Sequence, residues 1–131
     1  MIIKESAENY LETILVIKNQ KGFVRGIDIA NELGVSKPSV SVAMKNFREE
    51  EYITVDGDGN IDLTSKGLEI AKRVYERHEI IASALQALGV SREVALDDSC
   101  KIEHVISDES FSKIKEFLNS NSNINNALSQ K

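Results

Sequence analysis

The chain has 131 residues, 41% of them hydrophobic and 28% charged, with a formal net charge of −5. That length suits one compact domain or two small segments, and the apolar share excludes a disordered chain. One proline and seven glycines, set among abundant Glu, Lys and Ala, favour a mostly helical fold, while the acidic balance argues against indiscriminate nucleic-acid binding and leaves room for a local basic face.

Tyr10, Leu11, Ile14, Leu15 and Ile17 recur at helical spacing and predict a helix over 5–19, with Ser6 as its cap and Lys21-Gly22 as its end. Phe23-Val24-Arg25 reads as a short strand or loop. Residues 27–33 predict a short helix stopped by Gly34, with Val35 as a buried turn residue. Ser36 then caps a second helix, about 37–50, with Pro38 in its first turn. Helix, short glycine-containing turn and helix make a helix-turn-helix.

The faces of the second helix differ. Val40, Met44 and Phe47 form an inward stripe, and Pro38, Ser39, Val42, Lys45 and Asn46 point the other way. Small and polar side chains suit close approach to a major groove, although a solvated face of an ordinary amphipathic helix has the same composition. The next segment separates the two readings. Tyr52-Ile53-Thr54-Val55, a turn at 56–60, and Ile61-Asp62-Leu63 predict a β-hairpin, and a hairpin directly after such a helix is a wing. Residues 1–64 thus read as a winged helix-turn-helix DNA-binding domain. Its candidate DNA contacts are Arg25, Ser36, Lys37, Pro38, Ser39, Ser41, Val42, Lys45 and Asn46.

Thr64-Ser65 caps a long helix, about 65–88, whose stripe is Ala71, Tyr75, His78, Ala82 and Leu85. Gly89-Val90 breaks it, and Ser91 caps a further helix or pair of helices through about 106. Ser107-Asp108 caps a last helix, about 108–118, carrying Phe111, Ile114, Phe117 and Leu118; the Asn/Ser-rich tail from Asn119 is expected to fray. The fold class is mostly α with a small β wing, and residues 65–131 form a second, helical segment.

The chemistry concentrates in Cys100-Lys101-Ile102-Glu103-His104. On a helix Cys100, Glu103 and His104 share one face, with Ile102, Val105 and Ile106 opposite. Thiolate, carboxylate and imidazole are three good ligands for a divalent transition metal. His78, preceded by Arg77 and followed by Glu79, is a fourth candidate, weighed against a hydrogen-bonded core imidazole. Glu12 interrupts an apolar run and shares a face with Asn9, so both are candidate oxygen ligands, with Glu8 as runner-up. The lone cysteine excludes an intrachain disulfide, and the lack of a secretory leader or an apolar run of membrane length predicts a cytoplasmic protein with a reduced thiol.

Two other motifs are set aside. The acids at 56–62 imitate a calcium loop, but Ile61 stands where that loop needs glycine and Gly67 where it needs glutamate, so a turn explains them better. No Ser/His/Asp set and no phosphate-binding glycine loop is present, and the chain is read as not an enzyme.

Taken in order, Ser6–Ile14, Asp28–Ser36, Leu63–Gly67, Arg77–Glu79 and Cys100–Glu109 resemble the diphtheria toxin repressor-like, metal-dependent transcriptional regulators, a family with iron- and manganese-responsive members. The resemblance covers almost everything from Ser6 to Leu118 and implies a homodimer that, with metal bound, recognises a palindromic operator in double-stranded DNA. It implies Glu103, His104 and His78 as ligands, Cys100 at a position that is Cys in iron-type and Glu in manganese-type members, and Glu12 as a manganese-type carboxylate. Asn9 falls where the family has Asp or Met. Leu96 and Ala82 replace ligands of the iron-type ancillary site, Asp56 and Asp58 make the wing acidic, and the sequence stops before the SH3-like domain of longer members.

Thiolate softness leans the metal to Fe²⁺, with Mn²⁺ second and Co²⁺, Ni²⁺ or Zn²⁺ binding in vitro. The alternatives are a winged-helix regulator sensing a small ligand or thiol oxidation through Cys100, a small metalloenzyme, and a purely structural metal site.

Overall fold

The computed structural model describes residues 5–129, and the side chains of 6–120. The chain forms two compact units, residues 1–74 and 75–131.

In the first unit α1 (Glu5–Lys21) is followed by α2 (Gly26–Leu33), α3 (Lys37–Glu49), β1 (Ile53–Val55), β2 (Ile61–Leu63) and the first part of α4 (Ser65–Ala87). Ser6 lies inside α1 rather than capping it, since the helix already includes Glu5. Phe23 to Arg25 is a loop, although Val24 lends edge bonds to the wing: its carbonyl accepts from Ile61 N at 2.7 Å and its amide donates to Asn60 Oδ1 at 3.1 Å. Gly34, at φ 67°, ends α2 in the left-handed region that glycine adopts without a Cβ penalty. The Ser36 hydroxyl accepts from Ser39 N at 3.2 Å and caps α3. Val35 is exposed, not buried, because it sits between the Gly34 cap and Ser36 on the outer side of the turn.

The core of this unit gathers Leu11, Ile14 and Ile17 from α1, Ile29 and Ala30 from α2, and Val40, Met44 and Phe47 from α3, with Tyr52, Ile53, Ile61 and Ala71. The inward stripe expected of α3 is therefore the one buried. The wing pairs antiparallel, with Ile53 opposite Leu63 and Val55 opposite Ile61. Its turn is built on Asp56, whose Oδ1 accepts from the amides of Asp58 and Asn60, both at 2.9 Å. A carboxylate spent on its own backbone explains the acidic loop as a turn. The Thr64 hydroxyl accepts from Gly67 N at 3.2 Å and starts α4.

The second unit holds the rest of α4, then α5 (Arg92–Ile102) and α6 (Asp108–Ser129). Ser91 caps α5 through Val94 N at 3.4 Å, and the Ser107 hydroxyl accepts from Ser110 N at 3.1 Å. Three expectations are corrected here. Tyr75 is exposed, and Val74, Ile81 and Ala82 are the buried residues of that stretch of α4. The helix ending at 106 stops instead at Ile102. The tail does not fray at Asn119, because α6 stays helical to Ser129; intrinsic propensity of Asn and Ser is a weak prior.

Candidate metal centre

The candidate metal-ligand cluster belongs to the second unit. A nitrogen of His78 on α4, the Cys100 sulfur on α5 and a carboxylate oxygen of Glu103 all lie within 4.8 Å of one another. Ser99, fully buried, donates its hydroxyl to the His78 carbonyl at 2.5 Å, which ties α5 to α4 beside the cluster. Sequence reasoning missed Ser99, since a small polar residue inside a helix carries no signal of what it will face.

Glu103 is the centre of the arrangement. It caps α5 with helical backbone angles, φ −58° and ψ −27°, and its amide donates to Ser99 O at 3.0 Å. The expected i, i+3 relation to Cys100 thus survives. Beyond it the chain tightens, with the amides of Val105 and Ile106 both donating to Ile102 O at 3.0 and 2.9 Å. His104 is not one of the three residues whose ligand atoms lie within 4.8 Å of one another. Its Nε2 lies 3.4 Å from Glu103 Oε1, whereas His78 Nδ1 lies 3.2 Å from Oε2. Val105, on the opposite face, is 80% exposed.

The Glu103 side chain is 1% exposed and neither oxygen accepts a hydrogen bond. The two imidazoles are close enough for ion pairing, but not in hydrogen-bond geometry. A buried carboxylate without hydrogen bonds is costly unless a cation sits against it. One sulfur, imidazole nitrogens and a carboxylate within reach fit a divalent transition ion. Cys100 is exposed, so the cluster is open at its sulfur side.

The remaining candidates lie in the first unit. Glu12 is buried on α1 at 9% exposure, and Asn9 is half-buried one turn earlier. Glu8 pairs with Arg73 at 3.5 Å. Ser36, Lys37, Pro38, Ser39, Ser41, Val42, Lys45 and Asn46 are all exposed around α3, with Val42 at 61%. Arg25 is exposed just before α2; its guanidinium stands 5.7 Å from the Phe23 ring centroid, and its amide donates to Asp28 Oδ2 at 2.9 Å. The Lys21 ammonium and that amide hold the Asp28 carboxyl below its usual value. A cleft of about 260 Å³ between α3 and the wing is lined by Ser41, Lys45 and Arg48. Arg48 was not among the expected DNA contacts, although its i+3 spacing from Lys45 puts both on one helix edge.

A winged helix-turn-helix unit and a helical unit carrying a thiolate–imidazole–carboxylate cluster together define the class of metal-dependent DNA-binding regulators. Residues 3–61 match the iron dependent repressor N-terminal DNA binding domain, and residues 64–123 match the iron dependent repressor metal binding and dimerisation domain. The chain belongs to this family, the diphtheria toxin repressor-like metal-dependent transcriptional repressors. It is 36% identical over 109 residues to the HTH-type transcriptional regulator MntR of Bacillus velezensis, covering 83% of this chain and 77% of that protein. Such relatives are transcriptional regulators, not enzymes.

Among solved structures, the manganese regulator SloR is 26% identical with a TM-score of 0.73, over 91% of this chain and 55% of SloR. IdeR of T. acidophilum has a TM-score of 0.78 at 22% identity, again over 91% of this chain and 55% of its own length, and shows the fold alone. The chain thus spans about half the length of these two structures. Among the described residues no helix is long and apolar enough to cross a membrane.

Proposed function

We propose that the chain is a metal-activated repressor of metal-homeostasis genes, with Fe²⁺ the favoured signal and Mn²⁺ second. The observation that carries this reading is the buried Glu103 carboxylate, set between two imidazoles and next to the Cys100 thiol. His78, Cys100, Glu103 and His104 are the ligands from the helical part, and Glu12 and Asn9 supply further oxygens. A divalent ion bound there supplies positive charge to a thiolate and carboxylates that otherwise repel.

Residues 1–64 act as the DNA-reading part and residues 65–131 as the metal-binding and dimerisation part. Loading the site favours one presentation of α3, and two copies in a homodimer meet two half-sites of a palindromic operator about one DNA turn apart. Ser36, Lys37, Pro38, Ser39, Ser41, Val42, Lys45 and Asn46 face the duplex, with Arg25 beside them. Lys45→Ala is expected to lower the salt slope of DNA binding by about 1 and weaken binding on all sequences alike. An unchanged slope removes Lys45 from the phosphate contacts.

The choice of metal turns on Cys100. A thiolate favours Fe²⁺, Co²⁺, Ni²⁺ and Zn²⁺ over the harder Mn²⁺, while Glu12 favours Mn²⁺. The similarity to the manganese regulator SloR lends support to the second ion. Anaerobic titration of the metal-free protein and of Cys100→Glu with Fe²⁺ and Mn²⁺ tests this. The native protein is expected to bind Fe²⁺ more tightly, and the variant is expected to shift toward Mn²⁺. Tighter Mn²⁺ binding by the native protein would reverse the assignment.

A further inference from the structure

The turn that carries Glu103 and His104 has no glycine or proline and is not part of a helix, yet it must hold two side chains to metal-binding tolerance. Two fasteners bracket it. On its N-terminal side Ser99 bonds the His78 carbonyl, as described above. On its C-terminal side stands Arg77, the residue before His78. Its Nη2 donates to Ile106 O at 3.3 Å and to Asp108 Oδ1 at 3.2 Å, and its guanidinium carbon lies 5.0 Å from the Phe111 ring centroid.

The three contacts are unequal. Asp108 is fully exposed, so its ion pair contributes little. The Ile106 carbonyl and the Phe111 ring are different. A planar guanidinium on a side chain only 16% exposed can donate in its plane to a backbone acceptor while its face lies against a ring, a fixed geometry that a rotatable ammonium does not impose.

We propose that Arg77 is a positioning residue for the metal site: its guanidinium fixes the 103–106 turn on α4, so that Glu103 and His104 are held in place beside His78 before any ion arrives. This inference rests on the metal-site reading given above. It adds that metal affinity is set partly by a residue that touches no ion, through one α4 dipeptide in which His78 binds and Arg77 holds the facing ligands still. Groups bonded directly to metal ligands change metal affinity by roughly 10–100-fold when removed, and Arg77, one step further out through the turn, is expected at the low end of that range.

The test is a titration of the metal-free protein with Co²⁺, reading the thiolate-to-cobalt charge-transfer band and the ligand-field bands, beside a thermal melt of each metal-free variant. Arg77→Ala is expected to weaken Co²⁺ binding by about 10-fold or more and to alter the ligand-field bands, which report coordination geometry. Asp108→Ala is expected to stay within about 3-fold of the native protein, since the exposed ion pair is the minor contact. Arg77→Lys keeps the stem and the charge but not the fork, and is expected to fall between them; it decides the matter should Arg77→Ala fail to fold. Native affinity and native bands in both Arg77 variants would overturn the positioning role while leaving the metal site standing. A lower melting temperature with unchanged bands and affinity would make Arg77 a structural staple and overturn it equally. Absence of a charge-transfer band in the native protein would overturn both readings at once.

Discussion

Glu103→Ala is expected to abolish metal-responsive DNA binding and to weaken metal binding by at least about 100-fold, more than the loss of a supporting residue. The carboxylate is shared: Oε2 faces His78 and Oε1 faces His104, so its removal disconnects both imidazoles from a common partner. Glu103→Gln separates a binding role from a packing role. It keeps the shape and removes a buried charge that takes no hydrogen bond. The metal-free variant is therefore expected to melt no lower than the native protein, while the stabilisation that added Mn²⁺ or Co²⁺ gives the native protein disappears. A large drop in the melting temperature of the metal-free variant would instead make Glu103 a structural residue.

Gly67→Ala is the substitution expected to damage the fold most. A Cβ at this position would lie 2.0 Å from the Tyr52 carbonyl oxygen and 3.3 Å from Leu63 Cδ2. The obstacle is backbone, and it is pinned: Tyr52 N donates to Phe47 O at 2.8 Å, and Tyr52 O accepts from Thr64 N at 3.0 Å. The first turn of α4 and the segment joining α3 to β1 pack too closely for any side chain. Relief requires moving one of them, at a cost of about 3 kcal/mol and a fall in melting temperature of roughly 10 °C. Thermal denaturation followed by circular dichroism checks this, and a change of 2 °C or less would contradict it.

What was legible in the sequence was what local chemistry decides. Gly34, Ser36 and Pro38 punctuate α2 and α3 without tertiary help, and the α3 stripe of Val40, Met44 and Phe47 is buried as its spacing requires. The Asp56–Asn60 turn followed from its glycines and acids. The proximity of Cys100, Glu103 and His78 was readable because Cys100 and Glu103 keep helical spacing and His78 sits on an apolar stripe. The end of α5 was not readable. Nothing in Lys101-Ile102-Glu103-His104-Val105 breaks a helix; the end coincides with the contacts of Ser99 and Arg77, which join residues 21 to 31 apart along the chain. The side of Glu103 on which His104 lies was hidden for the same reason. Val35 and Tyr75 were misplaced because an apolar residue at the right period is only a prior for burial.

An ion held by Cys100, Glu103, His104 and His78 is proposed to control DNA binding. The most direct measurement is anaerobic binding of the metal-free protein to a palindromic promoter fragment, with and without Fe²⁺ or Mn²⁺, beside Glu103→Ala under the same conditions. The metal-free protein is expected to be folded and to bind the fragment weakly, to bind it tightly on addition of one of the two ions, and the variant is expected to show no response. Metal binding that leaves DNA affinity unchanged, or a metal response retained in Glu103→Ala, would contradict it.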